Sequence, residues 1–188
     1  MAGYRTAVIG KWHLHSMPTG FDHYSVMWGQ GSYFNPPFIE PSKIGPVWKE
    51  TVGYSTDLVV DRCLDWLRGR DDENPFLLLC HFKSPHYTWE PDEKHKTMYA
   101  GETIPEPETF DHDFGDSPVP PEALQVRLET VHEQWNIRHW DPMPKGLSIE
   151  EQKRRNYQYF IKDYLRCVAS VDDNVGRLLD YLDAGGLS

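Results

Sequence analysis

The chain has 188 residues, a formal net charge of −10 at pH 7 and 39% hydrophobic residues. This charge disfavours nucleic acid and anionic membranes as main partners, and no apolar run approaches the ~20 residues that cross a bilayer. Three cysteines, none in a CxxC pair, do not make a disulfide framework, while 13% aromatic residues favour a packed chain over a disordered one. No basic segment followed by a long apolar one opens the sequence, so we expect no signal peptide within it.

Two strands with a helix between them are predicted for the first half of the chain. Arg5–Gly10 contains a short apolar run, and Phe76–Phe82 is apolar along its length, which is typical of a strand buried on both faces of a parallel sheet. A helix is expected from near Asp57 to Gly69. Residues 16–54 have many Gly, Pro and aromatic residues without a clear period, which predicts a long irregular connection. The order strand, helix, strand indicates an α/β fold.

A long helix is the clearest local prediction. Ser148 and Glu151 fit a capping box, in which each side chain bonds the backbone N–H of the other residue. Apolar residues then recur in steps of three and four, which predicts a helical region over 148–184 that ends at a Gly pair. We expect an interruption of this helix over 172–176.

An acidic, Pro-rich segment precedes that helix. Gly101–Ala123 contains seven acidic residues and no Lys or Arg, so −7 of the net charge of −10 lies there. Because proline blocks helices and sheet ladders, we expect a long loop region over 101–146. A solvated excursion is the simpler interpretation of this loop, and a role in cation binding is the alternative.

Basic and imidazole side chains follow both predicted strands. Lys11 and His13 come after the first strand, and Lys83 and His86 come after the second. Ligands of α/β sheets bind beyond the carboxyl ends of strands, so we expect these groups to converge on one anion. Lys supplies a permanent charge, and His exchanges a proton near neutral pH. This combination suits an oxyanion of phosphate or sulfate whose leaving group needs protonation.

Simpler interpretations exist for several of the same residues. His13 and His15 lack the third and fourth ligands that zinc prefers, so they are not predicted to form a metal site. Lys83 is also explained as a solvated strand end, and His81 as a hydrogen-bonded core histidine. The segment Gly29–Gly31 lacks the following helix and the Gly spacing of a phosphate loop. These residues alone indicate an α/β domain with a candidate anion site.

Seven segments, in this order along the chain, carry a resemblance to a known family. They are Gly3–Leu14 (GYRTAVIGKWHL), Pro18–Asp22, Gly29–Pro36, Gly53–Asp57, Lys83–Pro91, Ile104–Pro107 and Ala169–Leu179. Together they resemble the type I sulfatases, which depend on formylglycine and belong to the alkaline phosphatase superfamily. The first segment resembles the second signature of that family. The likeness is greatest to the bacterial branch that removes sulfate from glycosaminoglycan or mucin sugars, including N-acetylglucosamine-6-sulfatases.

The resemblance implies both a fold and roles for site residues. Residues 1–188 would form the middle of a sulfatase catalytic domain, a partial alkaline-phosphatase-like sandwich with a mixed, mostly parallel sheet, flanked by helices and truncated at both ends. Lys11 would bind the sulfate and the formylglycine nucleophile, and His13 would hydrogen-bond the formylglycine and help to expel sulfate. His86 would contact the sulfate and protonate the leaving sugar oxygen. Lys83 joins Lys11 and His86 in the expected substrate-binding set.

Other parts that the family needs are not found in this sequence. None of Cys63, Cys80 and Cys167 begins the Cys-x-Pro-x-Arg motif whose first residue becomes formylglycine. The resemblance assigns calcium and formylglycine to a full-length parent, with all their residues outside this chain. We therefore expect no turnover by the chain alone. We also expect exposed apolar edges, poor solubility, or a partner such as the missing parts of its own domain.

Three candidate functions are compatible with the resemblance. The first is a fragment of a calcium-dependent sulfatase that acts on a sulfated carbohydrate, and the second is a phosphonate or phosphate ester hydrolase of the same superfamily. The third is a non-catalytic remnant that binds sulfated glycans. The Ser-Pro-His and Ile-Pro-Glu-Pro stretches favour the sulfatase, whose parent would be periplasmic, secreted or lysosomal. With so much of the domain missing, three tryptophans are expected at the surface: Trp89, Trp135 and Trp140.

Overall fold

The computed structural model describes residues 3–71, 73–112 and 127–187. The chain divides into two compact units: a sheet unit, Met1–Tyr87 with Cys167–Ser188, and a second unit, Thr88–Arg166. None of the described helices combines the length and the apolar character that a membrane crossing requires. In chain order the elements are β1 (Arg5–Trp12), β2 (His23–Trp28), β3 (Phe38–Glu40), β4 (Val47–Lys49), α1 (Ser55–Gly69), β5 (Phe76–His81), α2 (Val131–Gln134) and α3 (Ile149–Ala184).

A five-stranded mixed sheet in the order β4-β3-β2-β1-β5 forms the centre of the sheet unit. β1 pairs in parallel with both β2 and β5, whereas β3 and β4 add antiparallel strands at one side. The predicted α/β fold is confirmed. The prediction of an irregular connection over residues 16–54 is wrong, because this segment contains β2, β3 and β4. β3 and β4 have three residues each, which is too short to carry a period along the sequence.

Apolar side chains cover both faces of the central strands. On one face Ile9 and Met27 pack with Val59 and Cys63 of α1, and on the other Val8 packs in a second cluster with Val26 and Ile39. This alternation follows from the two-residue repeat of a strand. β5 differs from the expectation of burial on both faces, since Leu77 is 46% exposed. The reason is its position, because β5 pairs with β1 on one side and lies at the edge of the described sheet.

Helix α3 begins with the predicted capping box. The Ser148 backbone N–H and hydroxyl both donate to the Glu151 carboxylate at 2.7 Å, and the Glu151 N–H donates to the Ser148 hydroxyl at 3.2 Å. The prediction of an interruption over 172–176 is wrong, because the helix is continuous there. Buried Asn174 donates to the Asp57 carboxylate at 2.7 Å and to the Ser170 carbonyl at 2.9 Å. These bonds satisfy a side chain that otherwise competes with the helix backbone.

The second unit has an aromatic core. Trp89 and Trp140 stack with their ring centroids 6.4 Å apart, and Phe160 meets Trp89 edge-on at 4.7 Å. The prediction of surface positions is wrong for Trp89 and Trp140, because these residues are only 8% and 4% exposed. Trp135 is half-buried. The side chains that bury the two rings come from distant parts of this unit, which no local pattern shows.

The described part of the acidic region lies against α3 within the same unit. Lys153 donates to the Asp111 carboxylate at 3.0 Å, and Arg154 donates to Asp111 and to Glu106. Gln158 bonds both backbone groups of Ile104. Most of residues 101–112 are exposed, as expected of a solvated excursion, and these bonds anchor the segment to α3. The short helix α2 interrupts the loop expected over 101–146. The remaining acidic residues, Asp113, Asp116 and Glu122, lie outside the described residues.

Candidate active site

The parallel pairing of β1 and β5 brings the two basic segments to one edge of the sheet. Gly10 pairs with His81, the last residue of β5, so the strands end side by side. Lys11 lies at the end of β1, and His13 follows it on an exposed turn. The loop after β5 carries the second pair of candidate residues. The juxtaposition follows directly from two parallel neighbours whose carboxyl ends share an edge.

A glycine makes this close approach possible. Gly10 has a φ of 111°, a conformation that residues with a Cβ rarely adopt. A Cβ at this position would lie 1.9 Å from the backbone carbonyl oxygen of His81. Only a residue without a side chain fits between β1 and β5 immediately before Lys11.

Positive charges gather around His86. Burial lowers the pKa of this imidazole, and the charges of Lys11, Lys83 and His13 lower it further. The bond between its Nδ1 and the Tyr87 carbonyl opposes these effects. Burial also lowers the pKa of Lys11. Since each of these cationic forms is penalised by burial or by its neighbours, the arrangement favours a bound anion.

Gln30 is a site residue that sequence reasoning missed. The Lys11 ammonium donates to the Gln30 side-chain carbonyl at 2.9 Å. Gln30 follows β2, and the backbone N–H of Gly29 donates to the Trp12 carbonyl at 3.0 Å, which ties this turn to the end of β1. The sequence signal for this residue is the GQG segment, which is among the segments that resemble the family.

Lys83 lies deeper than a solvated strand end. It is 6% exposed, and its ammonium donates to the backbone carbonyl of Tyr87 at 2.6 Å. The ammonium also lies 5.3 Å from the ring centroid of Tyr33 and 5.6 Å from that of Tyr87. Two rings and a carbonyl oxygen therefore surround the charge that was expected to contact substrate.

The residues that the structure describes do not fit a calcium site. In residues 3–71, 73–112 and 127–187, no three His, Cys, Asp or Glu side chains lie together as a metal would need. His13 and His15 are exposed, and no such group includes them. The thiols of Cys63 and Cys167 are fully buried, and neither begins a formylglycine motif. We therefore assign no step to a metal or to formylglycine on these residues.

Comparison with known proteins decides the family. A family profile described as Sulfatase matches residues 1–188. The chain belongs to the sulfatase family. It is 32% identical to an N-acetylglucosamine-6-O-sulfatase of Bacteroides thetaiotaomicron, across 98% of this chain and 40% of that protein. It is 24% identical to an uncharacterized sulfatase of Schizosaccharomyces pombe, across 98% of this chain and 36% of that protein.

A solved structure supports both the family and the fold of this sulfatase chain. The chain superimposes with a TM-score of 0.76 and 29% identity on a protein solved in complex with its substrate D-glucosamine-2-N,6-O-disulfate. The match covers 98% of this chain and 45% of that one. The chain thus spans less than half the length of each of these relatives, and the activity of a whole protein is a matter for proposal.

Proposed function

We propose that the protein hydrolyses sulfate monoesters of carbohydrates and that the end of β1 and the loop after β5 bind the sulfate group. The observation that carries this proposal is the set of positive charges acting on His86, since such a cluster attracts an oxyanion. Membership of the sulfatase family supports sulfate over phosphate as that oxyanion.

Three residues have proposed roles in the reaction. Lys11, oriented by Gln30, places a permanent positive charge against a sulfate oxygen. His13, on the exposed turn after β1, donates a hydrogen bond to the nucleophile and helps to release sulfate. His86 protonates the ester oxygen as the S–O bond breaks, so that the ester and water yield an alcohol and hydrogen sulfate.

The substrate class is proposed from the relatives. One relative is named an N-acetylglucosamine-6-O-sulfatase, and a second was solved with a disulfated glucosamine. We propose a sulfated glucosamine as the substrate of a longer protein that completes this domain. The nucleophile and the calcium ligands of that protein would lie outside this chain, so the chain alone binds the sulfate without turnover.

Calorimetry on the chain tests binding. Sulfated N-acetylglucosamine is titrated into the wild type, Lys11→Met and Lys43→Met, where Lys43 is an exposed lysine of the same unit. Loss of the charged hydrogen bond in Lys11→Met should weaken binding by about 10- to 100-fold, and Lys43→Met should match the wild type. Equal binding by all three proteins contradicts the proposed site.

Catalysis is tested on the complete reading frame, obtained by sequencing the source DNA beyond both ends of this chain. In that protein, His86→Ala should slow the hydrolysis of alkyl sulfates by about 10²–10⁴-fold, because their leaving groups need a proton. Aryl sulfates, which leave without help, should be affected far less. Equal losses on both substrates contradict the acid role. A reading frame without a formylglycine motif contradicts hydrolysis, and a glycan-binding remnant then explains any saturable binding.

A further inference from the structure

One backbone carbonyl, that of Tyr87, receives two side chains at the candidate active site. The His86 Nδ1 lies 3.0 Å from this oxygen, and the Lys83 ammonium lies 2.6 Å from it. A carbonyl oxygen only accepts hydrogen bonds, so the Nδ1 carries a proton in this arrangement. The neutral imidazole then exists as one tautomer, and its Nε2 is the nitrogen left to exchange a proton with a ligand.

The structure around Lys83 fixes this carbonyl in place. The rings of Tyr33 and Tyr87 both lie within 6 Å of the ammonium, a distance at which cations and aromatic faces attract each other. The hydroxyl of buried Tyr33 donates to the preceding carbonyl, that of His86. The hydroxyls of Thr56 and Ser84 bond each other at 3.0 Å. Side chains therefore hold two successive carbonyls of the loop that carries the imidazole.

We propose that Lys83 is a positioning residue, which holds the Tyr87 carbonyl so that His86 keeps its proton on Nδ1 and presents Nε2 to the ester oxygen. This inference rests on the proposed function and replaces the sulfate contact that the sequence suggested for Lys83. Burial supports this new role, since Lys83 is 6% exposed and its ammonium is bonded to the backbone, so it is poorly placed to meet an entering ligand.

The charge of Lys83 has a second effect on the same imidazole. Burial and the charges of Lys11, Lys83 and His13 lower the pKa of His86, and together they favour the neutral ring. An anion against Lys11 and His13 would offset these charges and favour the imidazolium. The proton that the leaving oxygen needs would then arrive on Nε2 when an anionic ligand binds.

Imidazole ¹⁵N NMR of the whole chain, labelled at histidine, tests the positioning role. The His86 signals are assigned by their loss in His86→Gln. The wild type should give the pattern of a neutral ring protonated at Nδ1. Lys83→Met keeps most of the side-chain length without a donor, and its two nitrogen shifts should converge toward those of a ring that exchanges between tautomers. Lys83→Arg should restore the pattern, and Lys43→Met should not change it.

Two outcomes would overturn the proposal. The first is an unchanged tautomer pattern in a folded Lys83→Met protein. The second is a loss of sulfate affinity in Lys83→Met as large as that in Lys11→Met, which would make Lys83 an anion ligand. If Lys83→Met does not fold, the wild-type spectrum decides, because a neutral His86 ring protonated at Nε2 also overturns the proposal. A failure of the longer protein to hydrolyse sulfate esters leaves these NMR results intact and contradicts only the proposed function.

Discussion

In the sheet unit, positively charged side chains gather after β1 and β5, whereas around Asp163 in the second unit charges of opposite sign pair. Lys11 bonds the neutral amide of Gln30, and the charges that act on His86 are all positive. Like charges held together in this way cost stability, and a bound anion repays that cost. This is the pattern expected of a binding site rather than of a structural network.

The second unit shows the opposite arrangement around Asp163. This carboxylate is 3% exposed and accepts hydrogen bonds from His139, from the Trp140 indole and from Arg166 at 2.7 to 2.9 Å. Three donors satisfy the buried charge, which contributes to folding and leaves little for a ligand. In this chain the partners of a charge, more than its burial, distinguish a binding site from a structural network.

Asp163→Ala should destabilise the second unit and cause the largest loss in the free energy of unfolding among these variants. It leaves the Arg166 guanidinium without its carboxylate partner and the Trp140 N–H without its acceptor, so the free energy of unfolding should fall by about 3–5 kcal/mol. Urea denaturation measures the change, and Asp180→Ala, at an exposed position of α3, is the matched control. A loss below about 1 kcal/mol, typical of a surface pair, would contradict this interpretation of Asp163.

Gly10→Ala tests how strongly the sheet unit depends on close approach of its strands. The new Cβ would meet the His81 carbonyl at 1.9 Å, so the strands must separate. We expect a loss of about 1–3 kcal/mol in the free energy of unfolding, together with weaker sulfate binding. Gly20→Ala is the control, because Gly20 also has a positive φ but has no atom within 4 Å of such a Cβ. Equal losses in both variants would show that backbone strain, and not the strand contact, explains the effect.

Lys11→Met should separate binding from stability. Removing one of several like charges should change the free energy of unfolding by less than about 0.5 kcal/mol, even though sulfate affinity falls. The two quantities come from urea denaturation and calorimetry on the same sample. A clear destabilisation with unchanged affinity would place Lys11 among structural charges, as in the second unit.

The smallest effect concerns pH. The pKa of His86 is lower in the folded chain than its ordinary value, so the unfolded chain takes up this proton first. The contribution of His86 to the free energy of unfolding is therefore complete at about pH 8. It is lost as the pH falls through the ordinary histidine range toward about pH 5. His86→Gln should lose less stability than the wild type between these values, and added sulfate should reduce the wild-type loss. Identical pH profiles would show that burial and the nearby positive charges do not lower the pKa of His86.

The sequence by itself determined the parts of this protein that neighbouring residues encode. β1, α1, β5 and α3 were all predicted from local apolar patterns, and the capping box that begins α3 was read from two residues. Ordered motifs gave the family, and strand order placed Lys11, His13 and His86 at one edge of the sheet.

Tertiary structure alone decided the rest, because it depends on residues far apart in the chain. β3 and β4 form because they pair with neighbouring strands of the sheet, and three residues are too few to show a period in the sequence. The sequence gives no sign that Gln30 meets Lys11, or that Lys83 turns toward the backbone between two tyrosine rings. Local periodicity and capping fix which segments become helices and strands, but the direction and burial of a side chain follow from what other segments pack around it.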